Sequence, residues 1–500
     1  MQSTVLQRAL ADDRATAFLG QDLAGAARAG DVVLLAGDLG SGKTTLARAF
    51  VRALAADPKL EVPSPTFTLV QSYSTTPPVQ HVDLYRIGAP EELDELGLFG
   101  DDGVVTLVEW PERADALPEG AVTVRLDLDG GGRRATISGP PEALARIRRS
   151  LDARAFLERS GAANAERSRL AGDASARRYE QVAQGDAAAR LLVDAPPLVL
   201  GPPVRDGRAY AEIAHTARSA GAFVAIAGLL RARGLSVPKV LAADLDRGFL
   251  LIEDLGRGSF LTPAGTPVAE RYRAAGELLA FMHGQPWPEI AEAGGVVHPI
   301  PPFDRQAMLI EASLLLDWYL PEARGRAAEP AERAAFAAAW DRALERLRDK
   351  ERGFVHRDFQ STNIVWREDR AGRERLGIID FQDALIGPTA YDVASIALDA
   401  RADIPPALEQ ATVAAYVAAR QVAGPFDREA FEEAYAIMAA QRNTKILGIF
   451  VRLFRRDGKP DYLAHLPRIR GYLKRVLSHP SLAELRALYR DAGFLEERAP

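Results

Sequence analysis

The sequence predicts two folded bodies in tandem. The first, residues 1–151, is an open α/β domain. The second, residues 152–500, is an α+β body with a small β-rich lobe to about residue 256 and a helical lobe over about 257–500. Three observations predict this. At 500 residues the chain exceeds one ordinary core. Short apolar runs alternate with helical periodicity up to residue 151. Beyond Pro263 the pattern is mainly helical.

The elements follow in order. Val32–Ala36 is an apolar run of the kind that forms a buried parallel strand, and Thr44–Ala55 carries apolar residues at helical spacing. Val104–Val108 is a second buried strand. Val122–Leu128 alternates, Gly130-Gly131-Gly132 turns, and Ala135-Thr136-Ile137 returns, which is a hairpin signal. Pro141–Leu151 closes the domain as a helix. Asp152–Ala171 is alanine-rich without glycine or proline runs and is expected to continue helical. Ser175–Glu253 reads as a small sheet with a helix, and the chain has no tandem repeats.

Composition narrows the function classes. Hydrophobic residues at 47% and charged residues at 26% leave little room for long disorder. A net charge of -6 gives no global attraction to nucleic acid or an acidic membrane surface, and no basic, aromatic-interleaved stretch supports direct nucleic-acid binding. With no cysteine, disulfides, thiolate metal sites and cysteine nucleophiles are excluded. Asp12 and Asp13 interrupt the start too early for a signal peptide, and no run reaches the roughly 18 to 20 apolar residues of a membrane helix. The expectation is a soluble, cytoplasmic protein without a membrane partner.

The first chemical signature is Gly37-Asp38-Leu39-Gly40-Ser41-Gly42-Lys43-Thr44, which fits G-x-x-x-x-G-K-[ST] between a strand and a helix. Glycines let backbone N–H groups curl around phosphate oxygens, and the new helix adds its positive end. Lys43 is placed for the β/γ-phosphates and Thr44 for Mg²⁺; Thr45 continues the helix start. The fold expected here is an α/β P-loop NTPase domain. Three further clusters follow: Ser64-Pro65-Thr66-Phe67-Thr68 presents hydroxyls, His81–Arg86 carries Asp83 between apolar residues, and Leu107–Pro111 ends a buried strand with Glu109. Taken alone, Asp83 reads equally as a surface acid and Trp110 as core filling.

GDLGSGKTT, SPTFTLV, HVDLYR and LVEWPER, in that order, resemble the TsaE (YjeE) family over essentially residues 1–150. The resemblance implies an ATPase needed for N6-threonylcarbamoyladenosine at position 37 of tRNAs. It implies work alongside TsaB and TsaD, with tRNA involved only indirectly. It also implies that Thr44 and Glu109 hold Mg²⁺, that Asp83 and Thr66 position the attacking water or the γ-phosphate, and that Asp13 and Arg133 touch the nucleotide.

The second signature is His356-Arg357-Asp358-Phe359-Gln360-Ser361-Thr362-Asn363, with the H-x-D-x-x-x-x-N spacing of a phosphotransferase catalytic loop. Asp358 is placed to accept or orient a hydroxyl proton, and Asn363 to bring a neutral oxygen to a metal. After a short hairpin, Leu376–Ile379 ends in Asp380, a second carboxylate for Mg²⁺. His356 is expected to buttress the loop, and Asp392 to be a helix N-cap or a buried brace. Phe249–Leu255 reads as a strand entering a hinge whose backbone, at Glu253, faces adenine.

HRDFQSTNIV and IIDFQDA, with LLIEDLG ahead, resemble the aminoglycoside-phosphotransferase superfamily, which has a bilobal, protein-kinase-like fold. AGDASARRY, LLVDAPP and FLLIEDLG are most similar to its AmgK-type anomeric kinases. The resemblance spans about 155–500 and implies ATP-dependent phosphorylation of an amino sugar, N-acetylmuramate or N-acetylglucosamine, at its anomeric hydroxyl. One departure stands out. Leu191-Leu192-Val193-Asp194 occupies the strand where most relatives carry a lysine, and no lysine lies between Lys59 and Lys239. Arg177, Arg178 or Arg190 would have to supply that charge, with Glu212 or another acid as its partner. Two rivals stay open: a different small acceptor (an aminoglycoside, a choline-like alcohol or an amino acid), and a regulatory domain that binds without turnover.

Overall fold

The computed structural model describes residues 5–87, 99, 103–114, 117–170 and 177–496. The Ala171–Ala176 part of the AGDASARRY motif lies outside the described residues. Compactness divides the chain into Met1–Pro196 with Leu241–Asp254, and Pro197–Val240 with Leu255–Pro500.

In the first unit, β1 (Val5–Leu10), β2 (Val32–Ala36), β3 (Val70–Tyr73), β4 (Val79–Asp83), β5 (Val105–Glu109), β6 (Val122–Asp129) and β7 (Gly132–Ser138) form one sheet in the order β1-β7-β6-β2-β5-β4-β3. The strands β6, β2, β5 and β4 run parallel, and the expected β6–β7 hairpin pairs Asp129 with Gly132. β5 is buried at every residue, whereas β6 buries alternate residues over its first half, as a continuous and an alternating apolar pattern respectively require. Helix α1 (Asp13–Ala26) starts where the Asp12 side chain accepts from Ala15 N, and α2 (Lys43–Ala55) follows the glycine-rich turn.

Helix α3 (Pro141–Leu157) runs through residue 151 without a break. Its first half, with Ala143, Leu144, Ile147 and Leu151, packs into the core of the seven-stranded sheet. Its last turns put Ala153, Phe156 and Leu157 into a second core with Val182, Leu192, Phe249 and Leu251. That core backs a five-stranded sheet containing β8 (Glu166–Arg169), β9 (Arg178–Ala183), β10 (Arg190–Asp194), β11 (Val240–Asp244) and β12 (Phe249–Glu253), in the order β11-β12-β10-β9-β8. The helix expected over 152–171 therefore ends early, in a π turn at Glu158–Ala162, and Glu166–Arg169 is a strand.

Buried ion pairs join these elements. Arg167 of β8 uses all five guanidinium donors: Asp22 Oδ1 (2.7 Å) and Ser150 O (2.9 Å) from Nη1, Ser150 Oγ (3.2 Å) and Glu180 Oε1 (2.9 Å) from Nη2, and Glu180 Oε2 (2.7 Å) from Nε. Arg154 of α3 also reaches Asp22, and Gln21 Oε1 accepts from both Arg154 Nη2 and Arg167 N. Burial alone would lower the Arg167 pKa, and Glu180 and Asp22 more than reverse that.

In the second unit, helices α4 (Ala220–Ala232), α5 (Ala269–His283), α6 (Arg305–Leu314) and α7 (Pro330–Glu345) precede two short ladders. β13 (Arg352–Val355) pairs with β16 (Leu385–Pro388), and β14 (Ile364–Trp366) with β15 (Leu376–Ile378). Helices α8 (Ala390–Ala397), α9 (Pro406–Ala423) and α10 (Arg428–Asp457) follow. The 30-residue α10 is capped by Asp427, which accepts from Ala430 N, and stops at Gly458 in the left-handed region. Gly448 lets it approach the end of α6 closely, since a Cβ there would meet Leu314 C and O at 2.3 Å.

Candidate active sites

The turn between β2 and α2 needs its glycines. Gly37 has φ +137°, and a Cβ there would sit 2.4 Å from Leu126 O and 2.9 Å from Ser41 Oγ. Gly42 has φ +103°, against Arg133. Lys43 Nζ donates to Gly37 O (2.7 Å) and Asp38 O (3.0 Å) and lies 3.6 Å from the centre of the Trp110 ring. Burial pulls its pKa below the ordinary lysine value, opposed first by Glu109.

Parallel pairing puts Leu35, Glu109 and Asp83 side by side on β2, β5 and β4. Thr44 Oγ1 donates to Glu109 Oε2 (2.8 Å), and His81 Nε2 lies 2.9 Å from Glu109 Oε1. Ser64 Oγ (2.6 Å) and Thr66 Oγ1 (2.8 Å) both donate to Asp83 Oδ2, and Tyr85 N donates to Oδ1 (3.0 Å). Arg133 pairs with Asp13 (2.7 Å). A cavity of about 520 Å³ is lined by Asp13, Leu39, Gly40, Gly42, Lys43, Thr44, Thr45, Thr66, Asp83, Glu109 and Arg133, which the sequence singled out. It is lined as well by Ser64, Tyr85 and Trp110, which it did not assign. His81 was also missed, although His81 and Asp83 lie two residues apart on one strand and so share a face. Asp38 contributes its carbonyl to Lys43, and Ser41 is fully buried with an Oγ that lacks a partner among the described residues.

These residues fit a Mg²⁺-nucleotide. The cradle excludes side chains, a buried hydroxyl awaits a partner, and Thr44 with Glu109 offers hard oxygens. Among the described residues no group of three or more His, Cys, Asp or Glu is arranged to hold a metal by itself. Mg²⁺ commonly takes only one or two side chains and leaves the rest to phosphate and water.

In the second unit the catalytic-loop residues converge. Asn363 Nδ2 donates to Asp358 O (2.9 Å) and Oδ2 (3.0 Å), which leaves Asn363 Oδ1 directed elsewhere. Ile379 N donates to Asn363 O (3.0 Å), so the strand end carrying Asp380 is tied to the loop. Gln382 Nε2 donates to Asp380 Oδ1 (2.8 Å), and Asp380 itself has φ +62°. Asn363 and Asp380 are hard-oxygen donors of the type that suits Mg²⁺. His356 buttresses the loop as expected, with Nε2 2.9 Å from Ile379 O and Nδ1 accepting from Asp358 N. Asp392 is fully buried and accepts from His356 N (2.6 Å) and Arg357 N (2.9 Å). It is the brace and not a cap, a position that Thr389 holds.

Arg357, also at positive φ, is held by buried Glu311 of α6 (2.5 Å), which Lys445 of α10 meets at 2.8 Å. Burial pushes the Glu311 pKa up, but Lys445 and Arg357 outweigh it and bring it down to about 2. Sequence reasoning missed Glu311 because a buried acid in a helix carries no spacing signal. Glu212, considered as a partner for an N-lobe arginine, accepts from Ala209 N and pairs with Arg218.

Of the residues expected at adenine and phosphate in the small lobe, Glu253 ends β12 opposite Arg190, and Arg178 opens β9 opposite Asp194. They lie at opposite ends of β10, four residue steps or about 13 Å apart. Arg190 donates to Gln184, and Asp194 is taken by Arg149 of α3 (2.7 Å).

Two family models match the chain: "Threonylcarbamoyl adenosine biosynthesis protein TsaE" over residues 10–135 and "Phosphotransferase enzyme family" over residues 166–430, more than half of its length. An N-acetylmuramate/N-acetylglucosamine kinase of Caulobacter vibrioides is 36% identical over 346 residues, covering 67% of this chain and 94% of the relative. One from Pseudomonas aeruginosa is 35% identical, covering 63% and 84%. A tRNA threonylcarbamoyladenosine biosynthesis protein TsaE of Rickettsia bellii is 37% identical over 131 residues, covering 26% and 90%. The chain belongs to the phosphotransferase enzyme family and carries a TsaE-family domain at its N-terminus.

Proposed function

We propose that the chain is bifunctional. Residues 1–151 hydrolyse ATP in the service of tRNA threonylcarbamoyladenosine formation at position 37, together with TsaB- and TsaD-like partners and touching tRNA only indirectly. Residues 152–500 phosphorylate the anomeric hydroxyl of N-acetylmuramate and N-acetylglucosamine. Both draw on ATP and Mg²⁺, which agrees with a cytoplasmic setting; no described helix is long and apolar enough to cross a membrane.

The observation that carries the kinase reading is the Asp358–Asn363 pair, within a chain that covers 94% of an amino-sugar kinase relative. Asp358 orients the hydroxyl and takes its proton as the sugar oxygen bonds to the γ-phosphorus and ADP departs. Asn363 and Asp380 would hold Mg²⁺, which when bound neutralises phosphate charge. Arg178 is the better replacement for the absent lysine than Arg190, because it stands at the end of the sheet away from Glu253. In the first site, Thr44 and Glu109 would hold Mg²⁺, with His81 fixing Glu109. Lys43 would turn from the loop carbonyls to the phosphates, and Asp83, with Ser64 and Thr66, would orient the attacking water.

The test is selective inactivation. Asp358→Ala abolishes sugar 1-phosphate formation, read by phosphorus NMR, and spares ATP hydrolysis at the P-loop; Lys43→Ala does the reverse. Sugar 1-phosphate made at the wild-type rate by Asp358→Ala would sink the assignment.

A further inference from the structure

Helix α10 turns a polar, cationic stretch inward. Gln441, Arg442, Asn443 and Thr444 are buried in mid-helix, and Lys445 and Arg452, seven residues apart, share a face. Among the described residues Arg442 reaches only two neutral oxygens, both at long range: Leu398 O (3.4 Å) and Gln360 Oε1 (3.5 Å). Gln360 in turn donates to Asp358 Oδ2 (3.4 Å), so the cationic face abuts the catalytic loop. The Arg452 guanidinium lies 5.1 Å from the centre of the Tyr210 ring, and among the described residues no carboxylate stands within ion-pair distance of it. Tyr210 is pushed up to about 12 by burial and by Glu311, against Lys445, Arg357 and Arg452, which places all four charges around one ring.

Ion pairing leaves two of these cations out. Glu311 answers both Arg357 and Lys445, and Asp383 adds a second negative charge near Arg357. Among the described residues neither Arg442 nor Arg452 has an ion pair; the acid that acts on Arg452, Asp457, is paired with Arg456. A buried cation without an anion is costly, and proteins place one where an anionic ligand completes it. The two candidate sugars share the anomeric hydroxyl and differ by the lactyl ether on C3, which gives N-acetylmuramate a carboxylate. Guanidinium groups suit a carboxylate through paired hydrogen bonds.

Resting on the kinase reading above, we propose that the Arg442, Lys445 and Arg452 face of α10 is a subsite for the acceptor's carboxylate and makes the kinase prefer N-acetylmuramate. The neutral sugar is the internal control for folding and for the phosphoryl-transfer machinery. With the full chain, Arg452→Gln lowers kcat/KM for N-acetylmuramate about 10- to 100-fold, mainly through KM, and changes that for N-acetylglucosamine less than about 3-fold. Arg452→Lys retains part of the preference. An equal fall for both sugars in both variants, or no fall for either, overturns the subsite. A wild-type chain that phosphorylates neither sugar overturns the kinase reading instead.

Discussion

Arg167 lies outside the residues matched by the TsaE model, yet its substitution should destabilise the P-loop domain. Its side chain is 1% exposed and spends every donor on Asp22, Ser150 and Glu180. Arg167→Met keeps the bulk and removes the charge. Asp22 then retains Arg154 alone, and Glu180 loses the only cation paired with it among the described residues. Breaking a buried pair from one side costs about 3–5 kcal/mol, a large part of the roughly 5–15 kcal/mol that holds a domain folded. For a body near 200 residues each kcal/mol moves the midpoint by about 2–4 °C, so a fall on the order of 10 °C is expected. The assay is residual P-loop ATPase after a heat step, alongside calorimetry of the full chain. ATPase inactivation that does not shift would refute the claim that the Arg167 network stabilises the P-loop domain. Adding Asp22→Asn should then cost less than its effect alone, because the two positions share one bond network.

Two further outcomes are expected. Glu311 has a folded pKa of about 2 against an ordinary 4.5, so its contribution of about 3 kcal/mol is fully present above 4.5 and is lost as pH falls towards 2; the stability gap between wild type and Glu311→Gln, from denaturant midpoints, should shrink by more than half between about pH 6 and pH 3, and a constant gap would contradict the buried triad. Gly37→Ala should abolish nucleotide binding at the P-loop, measured by titration with a fluorescent ATP analogue, because its Cβ meets Leu126 O at 2.4 Å, whereas Gly40→Ala, which meets no atom within 4 Å and carries only the strain of its φ of +79°, should lose less.

What could be read in advance was local. The turn at 37–44 and the loop at 356–363 each place their chemistry within eight consecutive residues, and the apolar runs Val32–Ala36 and Leu376–Ile379 announce the strands that lead to the turn and to Asp380. Pairings between distant segments were invisible. His81 meets Glu109 only because β4 and β5 align in parallel register, and Ser64 meets Asp83 only because the loop ahead of β3 comes back to the end of β4. Trp110 could as well have been core filling; its left-handed backbone, φ +60°, is what swings the ring over Lys43. Glu166–Arg169 is a strand where the composition suggests helix, for a different reason. The strand is four polar residues, Glu-Arg-Ser-Arg, and its buried one is an arginine, so it leaves no trace in hydrophobicity.

That strand also explains why the two family matches do not correspond to two separately folded beads. β8 is the edge of the five-stranded sheet, and an uncovered edge invites pairing with other chains. Here α1 and α2 lie against it, Arg167 reaches past the edge to Asp22, and α3 continues from one core into the next. A chain started at residue 153 would sever α3 and leave Arg167 without Asp22 and Ser150. It would also remove Arg149 from Asp194, on the strand where most relatives carry their lysine. In this chain the partner of that strand residue comes from the helix that closes the P-loop domain. The small-lobe sheet has thus been built around its neighbour, and sugar phosphorylation has to be measured on the full chain before its loss in any truncated form can be charged to chemistry.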